Sequence, residues 1–217
     1  MALKIGVVSQ KGGVGKSTLS RMIACEYART GWNVKIADMD ASQGTSFNWQ
    51  RRRIEQAVEP QVAVEMFRRV ADVEKVTENY DLIVFDGAPH STQQTLQIAQ
   101  TSALVILPTG TALDDLEPTI RLAHELYRQD VPRDRLAIAL CRVGNSDVEN
   151  EEAISYIRAS GYGLLDGAIP ERTVYRRASD TGRAATETSH RSTNDRAAAL
   201  MQSIVHHLAT LTRQEAA

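Results

Sequence analysis

Short apolar runs without polar alternation recur along the chain, separated by stretches whose apolar residues follow helical spacing. Strands are expected at 3–9, 34–38, 62–67, 82–86, 103–108 and 136–142, with a weaker run at 164–169. Continuous apolar runs of this length suit parallel strands covered on both faces. Helices are expected at 16–30, 46–57, 113–129 and 147–159, with Gly31 closing the first at a left-handed C-terminal position. Pro118 falls inside the 113–129 pattern and is expected near a helix start, where proline is tolerated. A last helix over 194–212 places Leu200, Met201, Ile204, Val205, Leu208 and Leu211 on one face, with His206 and His207 expected in solvent. Regular alternation of strand and helix predicts an α/β fold: a doubly wound, mostly parallel sheet with helices on both faces. No linker or internal repeat interrupts it, so residues 1–217 are expected to form one domain.

Directly behind the first apolar run stands Lys11-Gly12-Gly13-Val14-Gly15-Lys16-Ser17-Thr18. This matches G-x-x-x-x-G-K-[ST] with one relaxation, since Gln10 occupies the first glycine position. Small residues there let successive backbone N–H groups turn inward around phosphate oxygens, and the following helix adds its positive end. Lys16 can reach β- and γ-phosphates and Ser17 can hold Mg²⁺, so a P-loop NTPase is expected. Asp86 ends the buried run Leu82-Ile83-Val84-Phe85, the place for a second Mg²⁺ ligand. Asp40 can orient a water near a γ-phosphate, or it can cap the turn that follows; Asp38 is open to the same two readings. Lys11 is a cation beyond what a self-contained phosphate site needs. By spacing alone it is either a solvated loop lysine or a contact to something outside that pocket.

Composition narrows the partners more than the fold. With 42% hydrophobic and 24% charged residues the chain is an ordinary globular protein, and a net charge of −2 leaves nucleic-acid binding to a local patch rather than a global field. Arg172, Arg176, Arg177, Arg183, Arg191 and Arg196 cluster late, interleaved with Glu171, Asp180, Glu187 and Asp195. They form either a salt-bridged solvated surface or a phosphate-backbone contact, and Arg51-Arg52-Arg53 is open in the same way. Cys25 and Cys141 lie far apart in apolar stretches and lack zinc-site spacing; both are expected reduced and buried. The N-terminal MALKIGVVSQ runs straight into a strand, so no signal peptide is expected, and no apolar run is long enough to span a bilayer.

The run KGGVGKST resembles the deviant Walker A motif of the ParA/MinD family of ATPases, and the resemblance extends over nearly the whole chain. It implies ATP and Mg²⁺ as ligands. Lys11 would cross a dimer interface to the phosphates held by the other subunit, and Lys16 and Asp40 would complete the catalytic set. Residues Gly12 to Thr18 would hold the phosphates, Ser17 and Asp86 the metal. The adenine would lie between the Cys141-Arg142 segment and Ile169-Pro170-Glu171-Arg172, with Arg142 and Pro170 in contact. Gly87-Ala88-Pro89 resembles the family's switch loop. The family commonly reads D-x-D-P-Q-G after the second strand; here Ala41-Ser42 replaces the single proline, which carries Asp40 over directly but shifts Gln43 by one.

Within the family the chain is most similar to short ParA-type partition ATPases without an N-terminal helix-turn-helix domain. That implies a slow ATPase in the cytoplasm, associated with the nucleoid. It would dimerise with ATP, bind DNA without sequence preference through late arginines, and answer to a ParB-like protein or cargo adaptor. A MinD-like membrane ATPase is the main alternative. The last helix lacks the flanking basic residues such a role needs, so no membrane partner is expected. A metabolic P-loop enzyme of related fold is a further alternative, and a metal-cluster carrier is disfavoured by the cysteine placement.

Overall fold

The structure, a computed structural model, describes residues 2–215. Its strands are β1 (Leu3–Val7), β2 (Val34–Asp38), β3 (Ala63–Met66), β4 (Leu82–Asp86), β5 (Leu104–Thr109), β6 (Leu136–Val143) and β7 (Gly163–Pro170). They form one sheet in the order β3-β2-β4-β1-β5-β6-β7, and every pairing is parallel. The helices are α1 (Lys16–Arg29), α2 (Thr45–Glu55), α3 (Val70–Glu74), α4 (Thr92–Thr101), α5 (Leu113–Arg128), α6 (Asp147–Ala159), α7 (Thr173–Asp180) and α8 (Arg191–Glu215).

Successive strand residues point to opposite faces, and the two cores divide accordingly. Leu82, Val84, Leu104 and Ile106 join Leu19, Met22 and Ile23 of α1, Trp49 of α2, and Leu200, Ile204 and Leu208 of α8. Ile83, Phe85, Val105 and Leu107 join Ile98 of α4, Leu116 and Leu126 of α5, and Ile157 of α6. Both faces of the central strands are therefore dry, which explains the absence of polar alternation.

Several elements depart from expectation, among them the short helices α3 and α7, which the apolar pattern does not mark. The segment Thr-Gln-Gln-Thr-Leu-Gln-Ile-Ala-Gln-Thr forms α4 although few of its residues are apolar; it buries Thr95, Ile98 and Ala99 against the sheet. Gly6 permits this close approach, because a Cβ there would lie 2.7 Å from Ile98 Cγ2. Pro118 stands in the second turn of α5 rather than at its start. Along α8, Val205 is exposed while its five expected companions are buried, and His207 is half-buried with a ring nitrogen 2.8 Å from the Asp134 carbonyl.

Register sets the site. Asp38 lies beside Asp86 across β2 and β4, and Val7 lies beside Asp86 across β1 and β4. Two carboxylates and the start of the glycine-rich loop thus leave the sheet at one carboxyl edge, where doubly wound folds bind ligands.

Candidate functional site

The loop after β1 folds tightly enough to need its glycines. Gly13 and Gly15 have φ of 75° and 109°, and a Cβ on Gly15 would sit 3.0 Å from Cys141 Cβ. Gly15 is the N-cap of α1 and offers no side-chain cap, so the first N–H groups of that helix face the cleft. Lys16 is 8% exposed, and its amine folds back to donate to the Lys11 carbonyl at 2.8 Å. Burial lowers its pKa, while the nearby Asp86 and Asp40 carboxylates act against that shift.

Asp86 is buried at the centre of the site. Ser46 Oγ donates to its Oδ2 at 2.6 Å, and its Oδ1 is buried with no hydrogen-bond partner. Burial raises the Asp86 pKa, opposed by the Ser46 hydroxyl, Arg21, the Ser17 hydroxyl and Lys16. A buried carboxylate oxygen with an open lone pair beside the Ser17 hydroxyl fits a hard cation. Among the described residues no group of three or more His, Cys, Asp and Glu could hold a metal ion. A cation here would therefore lean on one or two protein groups and on ligand oxygens, as Mg²⁺ does at phosphates.

Asp38 serves the start of α2. Its Oδ2 accepts from the N–H groups of Ser46 at 2.8 Å and Phe47 at 3.1 Å, and its Oδ1 from that of Asp40 at 3.2 Å. Burial, with Asp86 adjacent, pushes its pKa up to about 6 against these three bonds. Of the two readings left open for Asp38, the bonds correspond to capping. Asp40 also caps its turn: Oδ1 accepts from Ser42 N and Gln43 N, both at 3.2 Å, and from Ser42 Oγ at 2.5 Å. Its half-exposed carboxylate nevertheless lines the cleft.

The cleft, about 760 Å³, is walled by this acidic group, by Gly87 and Pro89 of the loop after β4, and by the ends of β6 and β7. Arg142, at φ 57°, donates to the Gly13 carbonyl at 2.9 Å and to Glu171 at 2.7 Å. Pro170 closes β7 beside it. Arg176 pairs with Glu171, and Arg172 donates to Asn145 Oδ1 at 2.7 Å. Arg172, Arg176 and Arg177 all line this cleft, whereas the exposed Arg183 and Arg191 lie outside it. The late arginines are thus two groups rather than one surface. Arg53, expected to share the ambiguity of its neighbours, is fully buried and bonded to both Glu187 oxygens at 2.7 and 2.9 Å.

Lys11 points away from the loop, paired with Asp115 and donating to the Asp114 carbonyl at 3.2 Å. Arg21 and Ser46 are polar residues of the site that pattern reasoning passed over. Their signal was available: Arg21 stands four residues after Ser17 on α1, hence on the same helix face, amid otherwise buried neighbours. Burial pushes the thiols of both Cys25 and Cys141 up to about 12, which keeps them unreactive. No described helix is long and apolar enough to cross a membrane.

Comparison with known proteins places this geometry. The CbiA family profile, described as the CobQ/CobB/MinD/ParA nucleotide binding domain, matches residues 5–185. No curated protein matches the chain by sequence. Solved structures share the fold at low identity. The cell-division ATPase MinD of Pyrococcus furiosus superposes with a TM-score of 0.73 at 17% identity, covering 95% of this chain and 99% of that one. A Cyanothece McdA variant in complex with ATP gives 0.71 at 12%, covering 94% and 96%. A Borrelia burgdorferi protein assigned to plasmid partition and bound to AMPPNP gives 0.71 at 17%, covering 95% and 99%. With most of its length matched by that profile, the chain belongs to the CobQ/CobB/MinD/ParA nucleotide-binding family.

Proposed function

We propose that the chain is a ParA-type ATPase that binds Mg²⁺–ATP in this cleft, dimerises around it, and in that state holds DNA without sequence preference. The observation that carries the reading is the meeting of the glycine loop and Lys16 with the unpartnered Oδ1 of Asp86 at one sheet edge. Family relatives solved with ATP and AMPPNP support the choice of nucleotide.

The backbone N–H groups from Gly12 to Thr18 cradle the phosphates, and Lys16 turns from the Lys11 carbonyl to the γ-phosphate. Ser17 and Asp86 hold Mg²⁺, whose bound charge offsets that on the β- and γ-phosphates. Asp40 orients the attacking water through Oδ2, the oxygen its turn leaves free. Arg142 and Pro170 flank the base. Lys11 leaves Asp115 to reach the phosphates of the second subunit, so the catalytic arrangement is complete only in the dimer. Arg183 and Arg191 are the best-placed DNA contacts, because Arg172, Arg176 and Arg177 border the nucleotide. A ParB-like or cargo-adaptor protein stimulates hydrolysis and releases the dimer, which would segregate DNA or position a cargo over the nucleoid.

The test is DNA binding with ATP, ADP and no nucleotide at several salt concentrations, with anionic vesicles as a parallel arm. Binding to DNA only with ATP, weakening steeply with salt, is expected. ATP-dependent binding to vesicles instead would overturn the DNA assignment in favour of a membrane role.

A further inference from the structure

Arg21 is an arginine 5% exposed, one helical turn beyond the phosphate loop. Burying a guanidinium is costly unless its nitrogens find acceptors. Here each arm has a separate acceptor: Nε donates to Ser46 Oγ at 3.1 Å, Nη1 to Ser179 Oγ at 2.9 Å, and Nη2 to the Thr45 carbonyl at 2.6 Å. The face of Trp49 lies against it, 5.5 Å from guanidinium carbon to ring centroid. The guanidinium is thus held by contacts to α2, α7 and an indole.

We propose that Arg21 is a positioning residue for the Mg²⁺ ligand Asp86, acting through Ser46. A serine hydroxyl has one proton to give. Because Arg21 Nε donates to Ser46 Oγ, the lone pair facing Arg21 is taken and the hydroxyl proton is directed to Asp86 Oδ2. Oδ2 is thereby occupied and the carboxylate plane fixed, with Oδ1 left open. Without Arg21 the serine could turn its proton elsewhere and the carboxylate could rotate. Lysine cannot replace it, since one ammonium cannot hold three acceptors in a plane. This inference rests on the Mg²⁺–ATP reading above.

Affinity for a fluorescent ATP analogue, titrated with Mg²⁺, tests it in the full-length protein. Ser46→Ala and Arg21→Met are each expected to raise the Mg²⁺ concentration for half-maximal binding about tenfold or more, a shift read against each variant's own metal-free affinity. The double variant should be no worse than the worse single one, because both act along one chain of contacts. A parental Mg²⁺ requirement in Ser46→Ala, or multiplied penalties in the double variant, would overturn the assignment. Should Arg21→Met fail to fold, Ser46→Ala against the parent still decides. If the parent itself binds the analogue no better with Mg²⁺, the underlying nucleotide reading falls instead.

Discussion

Lys11 and Asp115 are joined as an ion pair within one chain, and the reason lies three residues further along α5. Pro118 has no N–H to give, so the Asp114 carbonyl four residues before it lacks its helical donor. The Lys11 amine donates to that carbonyl and pairs with the adjacent carboxylate. A helix defect thereby becomes a docking point for the lysine, holding it off the nucleotide cleft. Dimerisation as proposed must first break this contact. Exposed pairs of this kind are worth up to about 1 kcal/mol. Asp115→Ala should therefore let dimers form with ATP at a few-fold lower protein concentration, as measured by sedimentation velocity. An unchanged midpoint would mean that the pair exerts no hold.

Lys16→Gln removes the buried amine nearest the phosphate loop. Hydrogen bonds to charged groups contribute about 1.5–3 kcal/mol, so ATP affinity should fall by roughly ten- to a hundredfold. Equilibrium titration with a fluorescent analogue measures it. Affinity equal to the parent's would exclude Lys16 from phosphate contact.

Asp40→Ala separates the observed turn role of this carboxylate from the proposed catalytic one. Loss of the turn bonds to Ser42 and Gln43 should cost about 1 kcal/mol, a fall in Tm of about 2–4 °C. Loss of water positioning should slow hydrolysis by on the order of 100-fold or more while ATP still binds, leaving the protein persistently on DNA. Normal turnover with only the Tm change would reduce Asp40 to a turn residue.

Burial beside Asp86 pushes the Asp38 carboxyl above the ordinary aspartate range. Its folded pKa of about 6 lies above the ordinary value of 3.8, so the folded state binds that proton more tightly. The resulting stability is fully present below pH 3.8 and is lost as pH rises through 6. The Asp38 carboxyl carbon should titrate by NMR with a midpoint near 6 in the nucleotide-free protein, and a midpoint near 4 would contradict the environment described.

Arg53 and Arg51 lie two residues apart in sequence but should behave oppositely. Arg53→Ala takes two guanidinium donors from the Glu187 carboxylate and leaves it only Arg29 and the Ala184 N–H. Breaking a buried pair from one side costs about 3–5 kcal/mol, a Tm drop of about 10 °C. Arg51 is exposed, and Arg51→Ala should leave Tm nearly unchanged. Equal, small effects in thermal unfolding would place Arg53 on the surface after all.

Legibility in the sequence followed how local the governing physics was. β1, α1 and their junction were readable because the apolar run, the glycines and Lys-Ser-Thr act over a few residues. α4 was not, since its glutamine- and threonine-rich stretch is helical through packing on Gly6 and the sheet rather than through its own pattern. The place of Arg21 is not written in local sequence, because its acceptors, on Thr45, Ser46 and Ser179, come from α2 and α7.

The alternation of elements, the phosphate loop and the acidic strand ends are properties of the chain as written, since each depends on neighbours within a turn or a strand. Tertiary structure alone decided which acid is free. β2–β4 register sets Asp38 beside Asp86, the start of α2 consumes the first, and Ser46 leaves one oxygen of the second open. It also divided the late arginines between cleft and surface, and turned Lys11 toward α5. These outcomes depend on distances between segments dozens of residues apart, which spacing along the chain does not encode.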